Sequence, residues 1–256
     1  MDERIPHSCE SALAERGFTV IKLRSDERLS PPVASHTDML FFRHNNTLIT
    51  SQGYFHKNQN LINNISDIPG IQVLLADEAP EGEYPKDRIF NCLIIGDKLF
   101  AKTEHLSKSI NEYANNEGLK IIPVSQGYPA CVTLGIGDKL AITADSGMAR
   151  ALKSENIEII DISDSEAIKL PPYKFGFIGG TAGVFRNTVY FIGNLAAHPC
   201  GAKIEGALKN AGYECVSLDE KSDSLFDMGG IFFFENPDIN TATSGKKISP
   251  NKPKSE

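Results

Sequence analysis

Five times along this chain, a helix-like segment ends at a glycine or an asparagine and an apolar, strand-like segment follows at once. The junction residues are Gly17, Gly70, Gly118, Asn156 and Gly212. Glycine and asparagine tolerate the left-handed backbone conformation that commonly ends a helix, which explains why only these two types occur there. The segments that follow are rich in Ile, Val and Leu, as buried strands require. The pattern predicts an internal repeat.

Between the junctions lie segments with the pattern of paired strands. Residues 91–102 and 131–143 share the turn sequence Gly-Asp-Lys, while residues 36–50 and 177–193 contain Asn-Asn and Arg-Asn turns. Short apolar runs separated by such turns indicate β-hairpins. Each repeat is therefore predicted to be a β-β-α-β unit.

The two ends of the chain complete the pattern. Residues of about 8–23 read as a helix and a strand without a preceding strand pair, and residues 227–235 read as a strand without a following helix. Joined, the two segments make a fifth unit. Residues 239–244 are a poor candidate for the second strand of its hairpin. A unit shared by both ends predicts a closed five-fold pseudosymmetric ring, an α/β propeller, because closure satisfies both edge strands. The alternative is an open α/β sandwich, where helix–Gly–strand junctions also occur.

This α/β ring is predicted to be a single domain over residues 1–244. Residues 245–256 are rich in Lys, Pro and Ser and have no apolar periodicity, so we expect a disordered tail there.

Composition narrows the functional classes. The net charge of −7 and the acidic pI of about 5.4 disfavour nucleic-acid binding. No apolar run approaches the roughly 20 residues of a membrane span, and the acidic start lacks the pattern of a secretory signal. The five cysteines are an odd number and widely spaced, which favours reduced thiols. We expect a cytoplasmic protein with neither a nucleic-acid nor a membrane partner.

A ring of five β-β-α-β units with one unit split across the termini resembles the pentein fold, the fold of guanidino-group-modifying enzymes. Shorter strings are similar to an uncharacterised bacterial family, a domain of unknown function assigned to that fold: His36-Thr37-Asp38, Gln126-Gly127-Tyr128 with Cys131, and residues 176–183, 189–194 and 225–230. The fold also hosts binding proteins without catalytic activity, so the resemblance implies no single activity.

Polar residues at the starts of apolar first strands suggest a pocket on the ring axis, because buried polar groups need partners or a ligand. The predicted site residues are His36, Asp38, Asn91, Cys131, Gly180, Thr181 and Asp227, with Gln126, Tyr128 and Asn194 at the rim. No metal and no cofactor is predicted. The glycine string at 176–183 precedes a strand rather than a helix, so it is not a phosphate loop.

The resemblance implies roles for four of these residues. Cys131 would be the nucleophile and His36 the acid/base, while Asp38 and Asp227 would hold a guanidinium. One feature departs from the family pattern, since those enzymes place the nucleophilic cysteine in the last unit and this chain has none after Cys215.

Two functions remain open at this point. One is a cysteine-dependent hydrolase or transferase acting on a small guanidino or amidino compound. The other is a non-catalytic protein that binds a small cationic metabolite or a protein partner. Each residue also has a plain structural explanation: Cys131 as an inert buried thiol, the two aspartates as turn caps, and His36 as a structural histidine.

Overall fold

The computed structural model describes residues 1–82, 84–162 and 167–235 of the 256-residue chain. The strands are β1 (Phe42–His44), β2 (Thr47–Ser51), β3 (Gln72–Ala76), β4 (Leu93–Ile95), β5 (Lys98–Ala101), β6 (Lys120–Pro123), β7 (Thr133–Ile136), β8 (Leu140–Thr143), β9 (Glu158–Asp161), β10 (Ile168–Lys169), β11 (Ala182–Phe185), β12 (Thr188–Phe191), β13 (Glu214–Ser217) and β14 (Leu225–Phe226). The helices are α1 (His7–Glu15), α2 (Thr37–Leu40), α3 (Gln52–Lys57), α4 (Gln59–Ser66), α5 (Lys108–Asn116), α6 (Pro129–Val132), α7 (Ser146–Ser154) and α8 (Gly201–Asn210). Short 3-10 turns lie at Pro31–Val33, Lys86–Arg88, Thr103–His105, Ile178–Thr181 and Leu195–Ala197.

Four three-stranded sheets repeat one topology within the described residues: β1-β2-β3, β4-β5-β6, β7-β8-β9 and β11-β12-β13. In each sheet the first two strands pair antiparallel, and the third strand pairs in parallel with the second. A helical segment connects the second strand to the third, as a parallel pairing requires. The predicted β-β-α-β unit is confirmed for these four sheets.

The predicted junctions and turns are confirmed by the backbone. All five helix-ending residues have a left-handed φ: Gly17 +85°, Gly70 +84°, Gly118 +70°, Asn156 +60° and Gly212 +85°. The four hairpin turns also begin in this region, at Asn45, Gly96, Gly137 and Arg186. Such turns match the right-handed twist of the strands that they join.

The helices are held by apolar residues on one face. Ile204 and Leu208 are four residues apart on α8, and both are fully buried against Val189 and Phe191 of β12. Burying each such side chain contributes about 1.5–3 kcal/mol. The start of α7 is capped as its sequence suggests, because the Asp145 carboxylate accepts a 2.7 Å hydrogen bond from the backbone N–H of Met148.

The two described ends of the chain share an apolar core. Cys9 and Leu13 of α1 lie in one cluster with Ile231 and Phe233, and the ring centroids of Phe18 and Phe233 are 4.9 Å apart. The N-terminal helix is therefore packed against the segment that precedes residue 236.

The strands predicted at the two ends are wrong. Among the described residues, residues 18–23 pair only with the first residues of the chain, through the bridge between Asp2 and Leu23. Backbone groups of residues 229–231 form single hydrogen bonds with Asp38, Gly180 and Ala182 and do not form the regular ladder of a strand. No sheet closes on itself within the described residues, so the predicted ring is not confirmed. The candidate strand 239–244 and the tail 245–256 lie outside the described residues.

An additional parallel pair, β10 with β14, was not predicted from the sequence. No helix in the described ranges is both long and apolar enough to cross a membrane.

Candidate functional site

Short helical turns, rather than the strands themselves, carry the predicted site residues. α2 precedes β1 and α6 precedes β7, while the turns Lys86–Arg88 and Ile178–Thr181 lie before β4 and β11. The expected His36–Asp38 strand is therefore wrong. The backbone N–H groups of Leu40 and Phe41 donate to the carbonyls of His36 and Thr37. These groups are therefore hydrogen-bonded within a helical turn and not to a neighbouring strand.

Asp38, Asn91 and Cys131 form one hydrogen-bonded group. Cys131 Sγ donates to Asp38 Oδ2 at 2.9 Å, and Asn91 Nδ2 donates to the same oxygen at 3.1 Å. Asn91 Nδ2 also lies 3.1 Å from Cys131 Sγ, and Asn91 Oδ1 accepts a hydrogen bond from the backbone of Ala130 at 3.0 Å. Asn91 thereby joins α2 to the start of α6 and fixes the thiol against the carboxylate.

His36 lies among three carboxylates. Its Nδ1 is 3.9 Å from Asp38 Oδ1 and 3.8 Å from Asp227 Oδ1, and its Nε2 is 3.8 Å from Asp2 Oδ2. These distances are too long for hydrogen bonds, and within the described structure His36 Nε2 and Asp38 Oδ1 have no hydrogen-bond partner. Asp38 thus contacts the thiol through one oxygen and faces the imidazole with the other.

Asp227 is held by backbone groups and packed against glycine. Its Oδ2 accepts a 2.8 Å hydrogen bond from the N–H of Phe177, and its Oδ1 accepts one of 3.1 Å from Gly229. A Cβ atom on Gly180 would lie only 1.7 Å from Asp227 Oδ1, so the absence of a side chain at this glycine lets the carboxylate approach the backbone closely. The arrangement leaves Asp227 fixed in place with lone pairs to spare.

Burial sets the protonation states of the site. It raises the pKa of both Asp38 and Asp227 to about 6, although the neighbours of each carboxyl counteract part of the effect. Burial also lowers the pKa of His36, against the opposing charges of Asp227 and Asp2. The pKa of Cys131 lies well above its ordinary value because of burial, followed by the charges of Asp38 and Asp227. Near neutral pH, the site therefore holds a protonated thiol and a neutral imidazole beside two carboxylates.

A cavity of about 220 Å³ adjoins this group. Asp38 contributes to its wall, together with Ala130, Gly179, Gly229 and Gly230 and residues of the first strands β4, β7 and β11. The volume is below the 300 Å³ or more that is usual for drug-sized ligands, so only a small ligand fits.

The other predicted side chains form hydrogen bonds that stabilise the surrounding fold. Thr181 donates to the carbonyl of Ile178 at 2.8 Å, within its own turn. Gln126 bonds to Asp145, and Tyr128 donates to both oxygens of Asp87. The Asn194 side chain accepts a bond from Ala196 and donates to carbonyls of residues 220 and 222, so it caps a turn and contacts none of the site residues.

Sequence reasoning missed two charged residues near the site. Asp2 is fully buried beside His36, and although burial raises its pKa, hydrogen bonds from Arg4 hold that pKa below its ordinary value. Arg88 is buried three residues before Asn91. The local sequence does not indicate that either residue is buried, because an acidic first segment and a Lys-Asp-Arg run are both typical of solvent-exposed chain.

The geometry restricts the chemistry that this group can perform. Cys131 and His36 are not hydrogen-bonded to each other, and the Asp38 carboxylate contacts the thiol and faces the imidazole. In this arrangement, His36 is therefore not placed to take the thiol proton of Cys131 directly. In the described ranges, no group of three or more His, Cys, Asp or Glu side chains is arranged to hold a metal ion. The arrangement is best suited to holding a small cation against carboxylates.

The sequence profile of a family of unknown function, DUF6873, matches residues 1–232. No curated protein matches the chain in sequence. Among solved structures, DDAH from Pseudomonas aeruginosa with bound citrulline is similar at a TM-score of 0.53 and 11% identity, over 85% of this chain and 84% of that chain.

Two amidinotransferases are also similar in structure. The inosamine-phosphate amidinotransferase from Streptomyces griseus has a TM-score of 0.54 and 12% identity, over 88% of this chain and 76% of its own. The amidinotransferase of the saxitoxin pathway from Microseira wollei has a TM-score of 0.50 and 12% identity, over 86% and 77%. At such identities the similarity establishes the fold alone, and it confirms the predicted resemblance to the pentein fold.

Proposed function

We propose that this chain, which belongs to the DUF6873 family of unknown function, binds a small guanidino or amidino compound through the carboxylates of Asp38 and Asp227. Binding of this ligand is the first candidate function of the site. A reaction at Cys131 is the second candidate.

The unpartnered oxygen of Asp38 carries the proposal. Asp38 is only 6% exposed, and within the described structure its Oδ1 has no hydrogen bond, which is costly for a buried carboxylate. Asp38 Oδ1 and Asp227 Oδ1 both lie within 4 Å of the same nitrogen of His36, so the two carboxylates converge. A guanidinium would supply both the missing donors and the missing positive charge.

The structural neighbours support a small ligand of this class. The similar DDAH structure contains citrulline, and two further neighbours are amidinotransferases by name. Their identities of 11–12% give no residue-by-residue correspondence, so the proposal depends on the site itself.

A cysteine-dependent hydrolase or transferase is the second candidate, favoured by the 2.9 Å contact between Cys131 Sγ and Asp38 Oδ2. A guanidinium held by Asp38 would bring its central carbon near this sulfur. In the reaction, Sγ bonds to that carbon, the thiol proton passes through Asp38 and His36 to the departing nitrogen, and an amine leaves. Water, or an acceptor amine in a transferase, then replaces the sulfur and restores the thiol.

We extend the proposal to the architecture and the compartment. The four β-β-α-β units and the shared core of Phe18 and Phe233 support a five-unit ring closed by the chain ends, in one domain over residues 1–244. All five cysteines are free, which supports a cytoplasmic location.

A thermal-shift comparison of agmatine with carbamoylputrescine tests the binding function. The second compound replaces the guanidinium by a neutral urea group of the same shape. Agmatine is expected to raise the Tm and carbamoylputrescine is not. The agmatine effect should vanish in Asp38→Asn and Asp227→Asn and persist in Asp67→Asn, an exposed control. Equal stabilisation by the two compounds would contradict the proposed charge pairing.

A further inference from the structure

The cavity beside Asp38 is apolar over most of its wall. Its aromatic and aliphatic lining side chains include Phe41, Phe90, Leu93, Leu134, Val184 and Phe232. Among the described residues that line this cavity, only Asp38 and Arg43 carry a charge. A ligand that is held by Asp38 therefore meets mainly apolar side chains in the rest of the cavity.

Arg43 adds a fixed positive charge to this wall. Its Nε donates to the carbonyl of Asn45 at 3.0 Å, and its Nη2 donates to the carbonyl of Phe233 at 2.6 Å. Its Cζ lies 4.4 Å from the ring centroid of Phe234 and 5.5 Å from that of Phe232, both cation–π distances. Burial lowers the pKa of Arg43 to about 10, so the guanidinium remains charged near neutral pH. These contacts are all with neutral groups, so they hold the side chain in place without cancelling its charge.

Such a wall disfavours a second cation on the ligand. An ammonium group that enters an apolar cavity loses its hydration, and beyond Asp38 no carboxylate lines the cavity among the described residues. The charge of Arg43 would also repel the ammonium group. An uncharged apolar group has neither cost, and each methylene that it buries should increase the affinity about fourfold.

We infer that the ligand is a guanidine with an uncharged apolar substituent, which lies against the aromatic and aliphatic wall of the cavity. The guanidinium remains with Asp38 and Asp227. Arg43 is a specificity-determining residue that disfavours ligands with a second positive charge, so agmatine is a weaker ligand than an alkylguanidine of the same length. This inference rests on the proposed function, since it names the substrate class of that site.

Pentylguanidine and agmatine provide a matched pair, because a terminal methyl group in the first replaces the terminal ammonium group of the second. Calorimetric titration of the full chain at pH 7.5 is expected to show pentylguanidine binding at least tenfold more tightly than agmatine. Methylguanidine should also bind more weakly than pentylguanidine, by about fourfold for each methylene that enters the cavity.

Two variants test whether the preference arises in this cavity. Arg43→Gln removes the charge and should lower the ratio of the pentylguanidine and agmatine affinities at least threefold, whereas Arg186→Gln, at an exposed arginine, should keep the ratio. Val184→Thr makes the wall more polar with little change of shape, and it keeps the test available if Arg43→Gln does not fold. It should weaken pentylguanidine binding about threefold and leave methylguanidine binding unchanged. Its matched control is Val216→Thr, at a half-buried valine of β13 outside the cavity lining, which should change neither affinity.

The outcomes separate this inference from the proposed function. If agmatine binds as tightly as pentylguanidine, or if pentylguanidine binds no more tightly than methylguanidine, the inference is overturned and the proposed function stands. An unchanged affinity ratio in folded Arg43→Gln would overturn the role of Arg43. If none of the three compounds binds, the proposed function fails and the inference fails with it.

Discussion

The thiol of Cys131 donates its hydrogen to a carboxylate, Asp38 Oδ2, across 2.9 Å. Both groups are buried, and ionising the thiol would place a second negative charge beside the first. The thiol therefore acts as a donor that orients Asp38. One carboxylate oxygen is occupied by Cys131 and Asn91, while the other is left for a ligand.

Cys131 should react slowly with iodoacetamide at pH 7.5. Only the thiolate is a nucleophile, and burial together with Asp38 and Asp227 raises the pKa of this thiol well above its ordinary value. We expect labelling at least about tenfold slower than that of glutathione, since each pKa unit changes the thiolate fraction about tenfold. Mass spectrometry of the peptide that contains Cys131 measures the rate.

Asp38→Asn is the informative variant for this reaction, because it removes a charge that disfavours the thiolate while keeping the side-chain shape. Its Cys131 should label faster than that of the wild type, with the half-buried Cys200 as the internal control. Wild-type labelling faster than glutathione would contradict the raised pKa of this thiol and favour the second candidate function, in which Cys131 is a nucleophile.

The elevated pKa of Asp38 predicts a pH-dependent cost to stability. The pKa rises from 3.8 when unfolded to about 6 in the native state because of burial. Between these values the native state binds more protons, so this carboxyl destabilises the fold as the pH rises. A shift of about two units corresponds to about 3 kcal/mol. As the pH rises from 4 to 7.5, the free energy of unfolding of Asp38→Asn should therefore increase by up to about 3 kcal/mol relative to that of the wild type.

Urea unfolding of both proteins at the two pH values measures this gain. The exposed control Asp67→Asn should show a difference from wild type that changes little over the same range. A pH-independent difference between Asp38→Asn and wild type would mean that Asp38 ionises at its ordinary pKa.

Gly180→Ala should destabilise the protein and disturb Asp227. The added methyl would lie 1.7 Å from Asp227 Oδ1, and this carboxylate is fixed by two backbone N–H groups. Overpacking of this kind costs about 3 kcal/mol. The matched control is Gly206→Ala on α8, where no atom lies within 4 Å and alanine should add about 0.5–1 kcal/mol of stability. Thermal unfolding of the two variants compares them, and equal Tm values would contradict the close packing at Gly180.

The sequence predicts the repeated units well because their signals are local. Turn residues such as Gly96 and Asn45 specify a left-handed backbone within two or three residues of the strands that they join. The chain ends are less predictable, since whether residues 18–23 form a strand depends on a partner far away in sequence. That segment pairs with Met1 and Asp2, which no periodicity indicates.

The candidate site shows the same contrast between features with a local sequence signal and features that depend on distant contacts. Grouping His36, Asp38, Asn91, Cys131 and Asp227 follows from their equivalent places in successive units, and the structure does bring these side chains together. Their detailed geometry does not follow, because one-turn helices such as α2 and α6 are too short for a periodic signal. Asp2 and Arg88 are placed by tertiary packing alone, so only the structure reveals them.

Calorimetric titration of agmatine at pH 5 and pH 8, with wild type and Asp38→Asn, tests the central claim most directly. Carboxyls with a pKa of about 6 are mostly protonated at pH 5, so wild-type binding should be tighter at pH 8 by about tenfold for each carboxyl engaged. Asp38→Asn should bind weakly at both pH values. If Asp38→Asn binds agmatine as tightly as wild type at pH 8, Asp38 does not hold the guanidinium and the account is wrong.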